Sequence, residues 1–153
     1  AWELTDMLHL KAIEIIGRSL RSAVAGDFAG REAMSLGQYI AGMGFSNVGL
    51  GIVHSMAHPL SAVYDIPHGK ACAMLLTAVL KFNAPATGEK YREIARVMGV
   101  PDVDGMDQET YRQAAIDVIQ KLADDVGIPK SLSEAGVKRE DIPFLAESAS
   151  KEF

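Results

Sequence analysis

Apolar residues return at helical spacing along nearly the whole chain, and the alternation that marks a strand is almost absent. The clearest run is "LTDMLHLKAIEIIGRSLRSAV", where Leu4, Met7, Leu8, Leu10, Ile13, Ile16, Leu20 and Val24 recur on one face. Side chains of a strand change face every second residue, so this spacing cannot be laid onto a sheet with one buried side. The fold class predicted is all-α, one bundle of about seven helices spanning 1–153. A chain of 153 residues is long enough to bury a core of its own.

Local signals set the expected boundaries. Thr5 is a candidate N-cap and Gly26 a candidate stop for the first helix. A second helix is expected from about Gly30 to Gly42. "KACAMLLTAVLKFN" is apolar nearly all round and reads as a central buried helix. "GEKYREIARVMGV" is amphipathic and ends at Gly99, with Pro101 just beyond. Asp107 is placed to cap "QETYRQAAIDVIQKLADDVG", which Gly127 and Pro129 end. A last helix is expected from about Asp141.

Composition narrows the function. With 48% hydrophobic and 23% charged residues the chain is of the folded class, not the disordered one. A net charge of -5 with no basic run gives no footprint for nucleic acid. No apolar run approaches about 18 residues, and no signal-peptide pattern is present, so no membrane partner is expected. A single cysteine, Cys72, rules out an internal disulfide and fits a reducing, cytoplasmic setting. The chain enters a helical pattern directly at Ala1 and Trp2 and stops at Phe153 inside another. That pattern reads as a domain of a longer protein, with initiator Met removal and a short natural tail as the alternative.

Candidate chemistry lies in "GMGFSNVGLGIVHSMAHPLSAVYDIPHG". Gly42, Gly44, Gly49 and Gly51 each cost about 1 kcal/mol against alanine inside a helix. So many together imply a break near Ser46 and Asn47, or close backbone packing. His54 and His68 lie at the two ends of a fifteen-residue span with His58 between them, three of the chain's four histidines. His54 and His58 fall on one helical face, about 40° apart. Pro59 should clash with the carbonyl of Ser55 and push that helix into a kink or an end, and His68 should sit where a loop enters the next one. Imidazole suits iron, zinc, copper and nickel. Ser55 stands where the zinc-protease motif has glutamate, so no built-in base accompanies the pair. A lone histidine in an apolar segment is ordinarily a hydrogen-bonded core residue, and His9 is read so. For the three together, a metal site and an ordinary cluster remain about equally supported at this point. Asp65 is read as a turn or cap residue before a ligand, and Cys72 as a buried inert thiol with no nearby base. The glycines lack a preceding strand and the dinucleotide spacing.

This stretch, followed by "FN" and "GEKYREIARVMGV", resembles the iron-dependent (group III) alcohol dehydrogenases, on the branch that handles lactaldehyde and propanediol. The resemblance covers essentially the whole chain, and H-x3-H-x9-H with its G-L-G and P-H-G flanks is its specific part. It implies a dehydroquinate synthase-like fold in two domains: an N-terminal domain binding NAD or NADP, and this helical metal-binding one. It implies Fe2+, with Zn2+ as the alternative, held by an aspartate and three histidines. His54 and His68 match two of those ligands; the aspartate and the other histidine would precede Ala1. His58 matches an additional histidine near the nicotinamide and substrate, with a role in proton relay or positioning that imidazole suits. Phe45 is a candidate wall of the substrate pocket. The sequence departs from the family at Thr77-Ala78-Val79, at Cys72 where asparagine is common, and at Ser61 where glycine is frequent; none is one of the three histidines.

The function so implied is the metal-binding part of an NAD(P)-dependent oxidoreductase acting on a small alcohol or aldehyde. It would work with a nucleotide-binding domain and as a homodimer. Two protein ligands make a poor site, so the 153 residues alone are expected to be inactive and to expose an apolar face. The rival readings are a standalone helical regulatory module and a non-redox metal hydrolase or lyase.

Overall fold

α1 spans Glu3–Val24 and α2 spans Phe28–Val48, and the two pack as an antiparallel hairpin. They belong to a computed structural model that describes residues 2–151; Ala1 and Phe153, on which the reading of the chain ends relies, lie outside the described residues. The remaining helices are α3 (Ile52–Tyr64), α4 (His68–Asn83), α5 (Lys90–Val97), α6 (Gln108–Asp125) and α7 (Ile142–Ser150). Short 3-10 turns occupy Ala84–Ala86, Val103–Gly105 and Arg139–Asp141. Among the described residues there are seven α-helices and no strand, as the apolar spacing predicts. None of these helices is long and apolar enough to cross a membrane.

The chain divides into two units by its own contacts: one runs up to Gly49 and resumes over Asn83–Val126, the other holds Leu50–Phe82 and the chain from Gly127 onward. In the first, α2 presents Gly30, Gly37 and Gly44, all buried and seven residues apart. A Cβ at Gly37 would stand 3.1 Å from both Ile15 Cγ2 and Ile16 Cγ1, and one at Gly44 would stand 2.4 Å from His9 Nε2. The missing side chains let the two helices approach along their length. Ile15, Tyr91, Ala95, Tyr111 and Ile116 fill this unit's core. Arg21 Nε donates to Asp125 Oδ2 at 2.8 Å, tying α1 to α6.

Several expected boundaries shift. α1 begins at Glu3, two residues before Thr5. The buried Thr5 is therefore not the cap; its hydroxyl accepts from the Trp2 N–H at 3.0 Å and donates to the Trp2 carbonyl at 2.8 Å. α2 extends past Gly42 and Ser46 to Val48, and the break comes at Gly49, whose φ is 81°. At Gly44 the packing against His9 outweighs the poor helix propensity, so the second of the two implications, close approach, holds there, whereas Gly42 makes only an ordinary contact with Phe45. α4 buries only Ala71, Leu75 and Val79, and Phe82 is 74% exposed. Apolar composition states how much surface seeks cover, not whether the chain supplies it. Phe28 (82% exposed) and Phe144 (57%) are further uncovered apolar side chains.

Asp107 is the N-cap of α6 as expected, accepting from the Thr110 N–H at 2.8 Å. Hydrogen bonds from Thr110 hold its carboxyl below the usual carboxylate range. A depressed pKa contributes stability above the unfolded value, about 3.9, that is lost as pH falls through the folded one. Asp107→Ala is expected to lower the melting temperature at neutral pH, with the gap to the parent chain closing in acid. Thermal melts of both from pH 7 to pH 3 check this; a gap that does not change with pH would contradict it.

Candidate metal centre

In the second unit, α3 and α4 meet around Ala57, Leu60, Ile66, Ala71, Leu75, Val137 and Leu145, with Met56, Tyr64 and Cys72 packed on that cluster. Pro59 lies inside α3 and is buried, yet the helix continues five residues beyond it to Tyr64. The expected loss at Ser55 is a single N–H partner for one carbonyl. Burial of Ala57 and Leu60 on either side of the proline outweighs that loss. Asp65 then closes α3 in the left-handed conformation, with φ 53° and ψ 28°. It is a cap residue, and its side chain joins no group that could hold a metal. After Ile66 and Pro67 the chain turns back, and His68 is the first residue of α4. Tyr64 fixes this corner: its hydroxyl donates to Asp141 and accepts from the Lys138 N–H at 3.0 Å.

This turn brings the three histidines together. Ring centroids are 5.5 Å apart for His54 and His68, 5.3 Å for His58 and His68, and 6.5 Å for His54 and His58. The His58 and His68 rings are stacked with 27° between their planes. Burial lowers the pKa of His54, and the neighbouring charges of His68 and His58 lower it further. Both effects favour the neutral form, in which imidazole binds metal.

A thiol joins two of them. Cys72 lies one turn after His68 on α4, with Sγ 3.5 Å from His68 Nε2. Donor atoms of His54, His68 and Cys72 all lie within 4.8 Å of one another. The sequence reading of Cys72 as a thiol without a nearby base is therefore corrected: the i, i+4 spacing to His68 was the available signal. Burial raises the Cys72 thiol's pKa. Two imidazoles converging from separate helices fit a borderline divalent metal such as iron or zinc. Phe45 lies on α2, in the first unit, and is 41% exposed. His9, also in the first unit, packs over Gly44.

Residues 1–153 match the model of the Fe-containing alcohol dehydrogenase family, C-terminal part. The chain belongs to that family. It is 61% identical over 149 residues to the lactaldehyde reductase of Escherichia coli (strain K12), covering 97% of this chain and 39% of that protein. It is 37% identical over 151 residues to the NAD-dependent methanol dehydrogenase of Bacillus methanolicus, with 97% and 39% covered. The crystal structure of a 1,3-propanediol oxidoreductase superposes with a TM-score of 0.94 at 42% identity, over 99% of this chain and 40% of that one. The chain thus spans about two fifths of the length of these iron-containing alcohol dehydrogenase relatives.

Proposed function

We propose that these residues form the metal-binding part of an NAD(P)-dependent alcohol dehydrogenase or aldehyde reductase of the lactaldehyde or 1,2-propanediol type. The observation that carries this is the convergence of His54 and His68, from α3 and α4, with donor atoms within 4.8 Å. The 61% identity to a lactaldehyde reductase supports the substrate class, and the NAD-dependent relative supports the cofactor class. His54 and His68 would hold divalent iron. Bound there, the metal supplies Lewis acidity toward an alcohol or carbonyl oxygen. His58, exposed and stacked on His68, would hold and move the substrate's proton. The remaining ligands, the nucleotide-binding domain and the second copy of a homodimer come from outside these residues, and the setting is the cytoplasm.

The test uses the protein in which this chain is joined to a nucleotide-binding domain. Expected are bound iron and NAD(P)-linked interconversion of 1,2-propanediol and lactaldehyde in preference to longer alcohols. The 153 residues alone should hold Fe2+ weakly and show no nicotinamide-linked turnover. Full activity of the joined protein after exhaustive removal of metal would overturn the reading.

A further inference from the structure

We propose that Cys72 is itself a metal ligand, adding a thiolate to the imidazoles of His54 and His68. The proposal rests on the reading of His54 and His68 as metal ligands and adds a donor to it. Four observations carry it. The donor atoms of these three residues lie within 4.8 Å of one another. The Sγ to Nε2 separation of Cys72 and His68 is 3.5 Å. Around a tetrahedral zinc, with bonds of about 2.3 Å to sulfur and 2.0–2.1 Å to nitrogen, two such ligands stand about 3.6 Å apart. The observed edge already has that length. Third, the placement is fixed by the helix: residues four apart stand one above the other, so α4 offers imidazole and thiol as a pair toward His54 of α3. Fourth, Cys72 packs against the apolar cluster of this unit, which holds its side chain in place.

A thiolate is a soft ligand and favours zinc over a hard-ligand metal. When the sulfur–metal bond forms, the S–H bond breaks and its proton passes to solvent; no oxidant or reductant is needed.

Cobalt(II) is the probe. The metal-stripped protein is titrated with it, and the parent chain is compared with Cys72→Ser and Cys72→Asn, circular dichroism verifying that helix content is kept. Expected for the parent are visible ligand-field bands together with a near-ultraviolet sulfur-to-cobalt charge-transfer band. Both variants should lose the charge-transfer band and bind zinc more weakly by at least the roughly 10- to 100-fold that loss of an outer partner brings. Ligand-field bands without the charge-transfer band in the parent would overturn the role of Cys72 and leave the histidine pair standing. No ligand-field bands at all in the protein that joins this chain to a nucleotide-binding domain would overturn both. A measurement that needs no variant reads the same point. Cys72 is the sole cysteine of these 153 residues, so in this chain bound zinc should slow its alkylation by iodoacetamide, and an unchanged rate with zinc bound would overturn the proposal.

Discussion

The double replacement His54→Ala with His68→Ala is expected to remove bound metal and abolish nicotinamide-linked turnover in a protein that joins this chain to a nucleotide-binding domain, with helix content unchanged. The fold should survive because neither imidazole is among the fully buried side chains, and alanine is the better helix former at both positions. What disappears is the converging donor pair, so the drop in metal affinity should exceed the roughly 100-fold of an outer-shell loss. His58→Gln gives the contrast. Its imidazole stacks on His68 without joining the 4.8 Å donor group, so metal content should persist while turnover falls by about 10²- to 10⁴-fold, the usual span for a lost acid–base group. Elemental analysis and turnover measured on the same preparations separate the outcomes. Iron and activity surviving in the double variant would show the ligand assignment to be wrong. Metal lost in His58→Gln would move His58 into the ligand set.

Much of this centre can be read along one segment. His54, His58, Pro67, His68 and Gly69 are close in sequence, and a loop of only Asp65 to Pro67 leaves α4 little choice but to return beside α3. Asp107 and Gly127 were legible for the same reason, since capping is decided by neighbouring residues. Of the kink or end expected at Pro59, the end does not occur: one lost hydrogen bond is a local signal, while the burial of Ala57 and Leu60 that outweighs it comes from contacts with distant residues. Cys72 was passed over because it was judged by the apolar helix around it, not by the histidine one turn before. The exposure of Phe82 could not be read at all, because an apolar helix has the same pattern whether or not its outer face is covered.

The glycines of α2 hold the other large effect. Gly30→Ala is expected to destabilise the first unit, whereas Gly42→Ala in the same helix is expected to stabilise it. Propensity alone gives both substitutions the same sign, a gain of about 1 kcal/mol. The neighbours separate them. A Cβ at Gly30 would stand 2.4 Å from Ser22 Oγ, 2.6 Å from the Ala23 backbone nitrogen and 3.0 Å from the Ser22 carbonyl carbon. The hydroxyl can rotate away, but the backbone of α1 moves only if the helices part. Overpacking of this kind costs about 1–3 kcal/mol, and rigid atoms place it at the upper end, leaving a net loss of about 2 kcal/mol. A Cβ at Gly42 would meet only Phe45 Cζ at 3.9 Å, an ordinary contact, so the propensity gain stands. Thermal melts should therefore move in opposite directions, down by about 4–8 °C for Gly30→Ala and up by about 2–4 °C for Gly42→Ala. Because Gly30, Gly37 and Gly44 repeat every seven residues against Ala23, Ile16 and His9, the same helix separation would disturb all three contacts at once. Equal shifts in the two variants would mean that helix propensity, not the close approach of α1 and α2, governs these positions.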